Sequence, residues 1–96
     1  MAWAVHLTAN VRKRLKRLPK SIDEIFRYLL AEMRLLGPVQ ADWPNYGKLR
    51  KDCYHCHLQR GRPTYVAVWR VLSKKDNVIE VTYVDSHEKA HYGQLC

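Results

Sequence analysis

The stretch Thr64–Leu72, TYVAVWRVL, constrains this chain more than any other. It is rich in β-branched and aromatic residues and apolar on both faces, so it reads as a central strand with both sides of its sheet covered. Strands must flank it. Cys53–Gln59 reads as one, followed by the turn Arg60-Gly61-Arg62-Pro63. Val78–Val84 (VIEVTYV) is the other, behind the turn Lys74-Lys75-Asp76-Asn77. Strands joined by short turns make an antiparallel meander. Lys48-Leu49-Arg50 is a further short strand after the loop Trp43-Pro44-Asn45-Tyr46-Gly47.

The first half of the chain supplies the cover. Residues 2–8 alternate, with Trp3, Val5 and Leu7 on one face and Ala4, His6 and Thr8 on the other, which predicts a strand. Val11, Leu15 and Leu18 then recur at i, i+4 and i+7 in a basic helix that ends at Pro19. Ser21-Ile22-Asp23-Glu24 fits a capping box for a second helix. Ile22, Ile25, Phe26, Leu29, Leu30, Met33 and Leu36 mark its apolar stripe, and Gly37-Pro38 stops it. The two helices form a hairpin whose stripe covers one face of the sheet. The order is β-α-α-β-β-β-β, an α+β fold, with residues 1–96 as one domain. The polar tail from Asp85 to Tyr92 has room for a short helical turn.

Charge narrows the function classes. Lys and Arg number 17 against 9 Asp and Glu, a net charge of +8. Nucleic acid is the commonest partner of so basic a domain, an acidic protein the next, and solubility alone the third reading. Apolar residues make up 47%, which excludes a disordered chain. No apolar run approaches the roughly 20 residues of a membrane helix. The start of the chain lacks the order of a signal peptide, so a cytoplasmic location is expected. Arg12, Lys13, Arg14, Lys16 and Arg17 form a charge run, read as an rRNA contact in preference to a solvated face.

The chemistry-bearing residues gather in the second half. On a strand of period two, Cys53, His55 and His57 share a face, and Tyr54, Cys56 and Leu58 share the other. Adjacent imidazoles suit acid/base work, because an unperturbed histidine titrates near pH 6.5. Cys53-Tyr54-His55-Cys56-His57 also matches C-x-x-C-H, the haem-attachment string, and contains a C-x-x-C. On a strand the two thiols point to opposite faces and could not hold one metal together. Two small half-buried thiols are therefore expected, and neither metal nor cofactor. Three cysteines, an odd number, do not suggest a disulfide scaffold. Trp3, Trp43 and Trp69 read as core or loop anchors, and His6 as remote from any site. Asp85 and Glu88 either position His87 or solvate the tail. Tyr92 either stacks on a base or donates to a phosphate, or packs the tail onto the sheet.

The element order, with several local strings, resembles the RelE/ParE superfamily of bacterial toxins. Lys48-Leu49-Arg50 followed by Cys53-Tyr54-His55-Cys56-His57-Leu58 is similar to a RelE segment whose two strand lysines are here His55 and His57. The Tyr65–Leu72 strand, the Val78–Val84 strand and the tail His87-Glu88-Lys89-Ala90-His91-Tyr92 follow in the family's order. His87 stands where the family carries an arginine, or in some members a histidine.

The resemblance implies a ribosome-dependent mRNA endoribonuclease that uses no metal and is held by a cognate antitoxin. It implies a catalytic set of His55, His57, Arg70, His87 and Tyr92. His55 or His57 is the expected base, His87 the acid, and Arg60, Arg62 or Arg70 the phosphate clamp. Lys48, Arg50, Lys51, Arg60, Arg62 and Lys89 complete the expected substrate-binding residues. A gyrase-blocking toxin of the ParE kind and a small non-toxic RNA-binding module are the alternatives.

Overall fold

A computed structural model of the protein describes residues 2–59, 61 and 63–96. The elements run β1 (Ala4–Leu7), α1 (Ala9–Leu15), α2 (Lys20–Leu36), β2 (Gly47–Arg50), β3 (Cys53–Gln59), β4 (Tyr65–Ser73) and β5 (Val78–Ser86), then a 3₁₀ turn His87–Lys89 and α3 (Tyr92–Leu95). The five strands form one sheet in the order β1-β5-β4-β3-β2. β2 to β5 make the antiparallel meander, and β1 joins it by running parallel to β5. The α+β expectation holds, and β4 occupies the middle of the sheet.

The helices cover one face. Val11 of α1 and Ile22, Phe26, Leu29 and Met33 of α2 are buried against Cys56, Leu58, Ala67, Trp69, Ile79 and Val81 of the sheet. Truncating a fully buried ring such as Phe26 or Trp69 to alanine costs about 3–5 kcal/mol, so this layer fixes the fold. The three tryptophans sit as anchors: Trp69 Nε1 donates to the Pro38 carbonyl at 3.0 Å, and Trp43 Nε1 reaches Glu32 at 3.4 Å. Trp3 lies against Gly37, where an added Cβ would come within 2.7 Å of its Nε1. Gly37 also takes a φ of 85°, so two independent constraints select glycine there.

One helix start differs from expectation. Thr8 caps α1, accepting from the Val11 amide at 3.2 Å. Ser21, however, does not cap α2. The N-cap is Pro19, whose carbonyl takes the Ile22 and Asp23 amides at 3.0 Å each. That leaves Ser21 inside the first turn rather than at the cap, and the capping box with Glu24 does not form.

The second face of the sheet is covered differently. Cys53, Val66, Val68 and Tyr83 lie under Leu49, Ala90, Tyr92, Leu95 and Cys96, so the tail itself is the lid on this side. A disulfide between Cys53 and Cys96 fastens it, with Cα atoms 5.7 Å apart. This corrects the expectation of free half-buried thiols. Cys53 is in a covalent bridge, and only Cys56 is a free, buried thiol. Two further bonds dock the tail: Thr82 Oγ1 donates to the Leu95 carbonyl at 2.9 Å, and Arg70 Nη1 to that of Cys96 at 3.4 Å. Among the described residues, no helix is long and apolar enough to cross a membrane.

Candidate active site

The alternation of β3 puts His55 and His57 on the tail-covered face, opposite Val68 and Val66 of β4. β5 ends at Ser86, and the chain turns at once into the 3₁₀ turn that begins with His87. The His87 amide donates to the Thr64 carbonyl at 2.7 Å, which ties this turn to the start of β4. α3 then returns over the sheet and delivers Tyr92.

Four rings meet there. The centroids of His55 and His57 are 6.4 Å apart, those of His57 and His87 5.6 Å, and those of His87 and Tyr92 5.9 Å. His55 and Tyr92 close the circuit at 5.5 Å. The rings grade from inside to outside: His87 is exposed, while His57, Tyr92 and His55 are half-buried.

Their electrostatics differ accordingly. Burial, then the neighbouring His57 and His87, lower the pKa of His55, so it favours the neutral form. Its Nδ1 is buried without a hydrogen-bond partner among the described residues. Burial raises the pKa of Tyr92, whose hydroxyl is likewise buried and unpartnered among them. The arrangement thus offers a neutral imidazole that can accept a proton, a phenol that keeps its own, and an exposed imidazole at the rim.

Gly47 shapes the floor of the cluster. It pairs with His55 across β2 and β3, and a Cβ there would lie 3.2 Å from His55 Nε2. With a Cβ at this position the ring would have to give by a few tenths of an ångström. Nothing in the sequence singled out this glycine; pairing register was the missing information.

The other expected residues are dispersed. Arg70 lies along β4 beyond Val68, and its guanidinium pairs with Glu80 at 2.8 Å. Lys48 pairs with Tyr54, on the opposite face from His55. Arg50 lies beside α3, with an Nη2 atom 3.9 Å from where a Gly93 Cβ would be. Lys51 is exposed in the turn before β3, and Lys89 is exposed in the 3₁₀ turn. Arg60 and Arg62 lie outside the described residues. Arg12, Lys13, Lys16 and Arg17 are exposed, whereas Arg14 is half-buried. Arg14 pairs with Asp85 and lies 4.8 Å over the Tyr83 ring. Asp85 also accepts the Ser86 amide at 2.7 Å, so its carboxylate serves Arg14 and the strand end.

The C-x-x-C-H string resolves in the same geometry. Cys53 faces the tail and is bridged, while Cys56 faces the helices and its burial pushes the thiol pKa up to about 12. A thiol so desolvated is a poor nucleophile and a poor ligand.

No protein-family model matches the chain, and no curated protein matches it significantly in sequence. Solved structures do. An archaeal RelE–RelB complex from Pyrococcus horikoshii aligns with a TM-score of 0.71 at 20% identity, over 94% of this chain and 100% of that one. A free-state mutant of the E. coli toxin RelE aligns with a TM-score of 0.69 at 23% identity, over 92% and 86% of the two chains. The toxin–antitoxin complex RelBE2 of Mycobacterium tuberculosis aligns with a TM-score of 0.65 at 19% identity, over 90% and 99%. With such coverage of both chains, this protein has the fold of the RelE toxins.

Proposed function

We propose that this protein is the toxin of a toxin–antitoxin pair and a ribosome-dependent endoribonuclease that represses translation by cutting mRNA. The observation that carries the reading is the circuit of His55, His57, His87 and Tyr92 on the tail-covered face of a RelE-like sheet. Cleavage by the 2′-hydroxyl needs a base for its proton, positive charge or donors on the phosphate, and an acid for the leaving 5′ oxygen. His55, kept neutral by burial and by its two imidazole neighbours, suits the base. Exposed His87 suits the acid, with access to a substrate from outside. Tyr92 keeps its proton and can donate it to a phosphate oxygen in a hydrogen bond. His57 stands between base and acid and adds charge when protonated. The products are a 2′,3′-cyclic phosphate and a free 5′-hydroxyl.

An acidic antitoxin has two kinds of surface to cover. Tyr28, Leu35, Leu36 and Val39 are exposed apolar side chains, 65%, 74%, 67% and 57% accessible, along α2 and just past it. The basic run of α1 is the other.

Inducible expression in a bacterium, with mapping of mRNA 5′ ends, tests the reading. Growth arrest should come with cuts inside translated codons. A His87→Ala chain should bind ribosomes but cleave about 10²–10⁴-fold more slowly in single turnover. Intact mRNA with inhibited DNA supercoiling would replace this reading with the gyrase-blocking one.

A further inference from the structure

The basic run of α1 does not present a single face. Asn10, Lys13, Arg14 and Arg17 follow one another at helical spacing and line a cavity of about 440 Å³ between the helix and the end of the sheet, whereas Arg12 and Lys16 do not line it. Lys89 of the 3₁₀ turn closes the cavity from the opposite side, and Tyr65 and Leu18 supply an apolar wall. Four cations therefore surround one carboxylate, that of Asp85, which is already paired with Arg14. Arg14 is held by that pair and by the Tyr83 ring, yet its buried Nε–H finds no acceptor among the described residues. Fixed in place and still 29% accessible, the Arg14 side chain with exposed Lys13, Arg17 and Lys89 around it makes a cationic setting that suits an oxyanion.

The position says which oxyanion. Asp85 and Lys89 flank His87 in the chain, and Thr64 and Tyr65 are consecutive. His87 and Thr64, with Gly61 and Glu88, line a second cavity of about 410 Å³. The two cavities thus share the same chain segments, and a strand that offers one phosphate at His87 has the next stretch of its backbone beside the basic cavity. The volume exceeds what a single carboxylate or phosphate needs, and Tyr65 adds a ring face on which a base can stack.

We propose that this cavity binds a phosphodiester and its nucleoside from a single-stranded RNA, next to the nucleotide held at the imidazole cluster. The inference rests on the reading of the protein as one that acts on RNA, and it assigns a substrate subsite to Lys13, Arg14, Arg17 and Lys89 within that reading.

Two double variants of the full chain test it. Lys13→Glu/Arg17→Glu reverses charge inside the cavity, and Arg12→Glu/Lys16→Glu reverses the same charge on the same segment outside it. All four residues are exposed, so neither pair disturbs the core. The probe is a 2′-O-methyl RNA hexanucleotide, which cannot be cleaved, titrated by fluorescence anisotropy over a range of salt. The cavity pair should weaken binding at least about tenfold more than the outer pair, equivalent to about 1.4 kcal/mol. It should also flatten the log–log salt slope by about 0.7 for each phosphate that is no longer neutralised. Equal losses from both pairs would reduce the cavity to diffuse attraction and overturn the assignment. Unchanged RNA binding by the cavity pair, with loss of binding to an acidic peptide, would hand the cavity to a protein partner. Because the probe is not cleaved, the catalytic reading can fail on mRNA mapping while this subsite stands, and the reverse.

Discussion

His55 is the residue on which the proposed chemistry turns, and its environment has two consequences. Its pKa is lowered from 6.5, first by burial and then by His57 and His87. Removing a like-charged neighbour should therefore let it rise. In His57→Ala, the His55 ring should titrate closer to 6.5 by NMR; an unchanged midpoint would show that His57 has no part in setting it. The second consequence is for stability. The unfolded chain binds the His55 proton more readily than the folded one, so between the folded pKa and 6.5 unfolding takes up protons. Stability from this group is complete above 6.5 and is lost as pH falls through that window. The thermal midpoint should drop on acidification from neutral pH, and drop less in His55→Gln. Pairing on one face made His55 and His57 legible as neighbours in the sequence. Their meeting with His87 and Tyr92 was not legible from period or spacing, since it depends on how a 3₁₀ turn and a four-residue helix fold back; only the resemblance to RelE placed them together.

At the scale of elements, the strands declared themselves and the tail did not. β3, β4 and β5 are dense in Val, Ile, Tyr and Trp, and turn residues separate them, so their bounds were readable to within a residue or two. α3 has four residues, far too few to be stable by itself. It is held by the Cys53–Cys96 bridge, by the carbonyl bonds from Thr82 and Arg70, and by packing on Tyr83 and Val68. An odd cysteine count hid that bridge, because a sequence separation of 43 says nothing about which thiol pairs. The capping box did not form for a simpler reason: Ser21 and Glu24 matched the pattern, but the helix already starts at Lys20, behind Pro19, so Ser21 is inside it. Closing a loop of this size contributes about 2–4 kcal/mol. Cys96→Ser should lower the denaturation free energy by about that amount and loosen Tyr92. A dithiol reductant should bring the wild-type chain to the same midpoint while leaving Cys96→Ser unaffected. Midpoints that ignore both changes would assign the tail's hold to its hydrogen bonds and apolar contacts.

Across the whole molecule, the sheet separates two jobs. One face, under α1 and α2, is a dry core; the other, under the tail, carries every polar ring of the candidate site. The net charge of +8 belongs to neither face in particular: Arg12, Lys13, Lys16 and Arg17, Lys51 in the β2–β3 turn and Lys89 are exposed at separate places. Composition raised the expectation of a nucleic-acid partner, and the fold divides the cations into those lining a cavity and those outside it. The parallel pairing of β1 with β5 has a consequence in time. Ala4 to Leu7 are made long before their partners, Val78 to Val81. Until then the opening strand has no edge to join, and the segment that brings His87 and Tyr92 has not been synthesised. The four-ring cluster is thus assembled only after the whole sheet is in place, and no shorter part of the chain carries it.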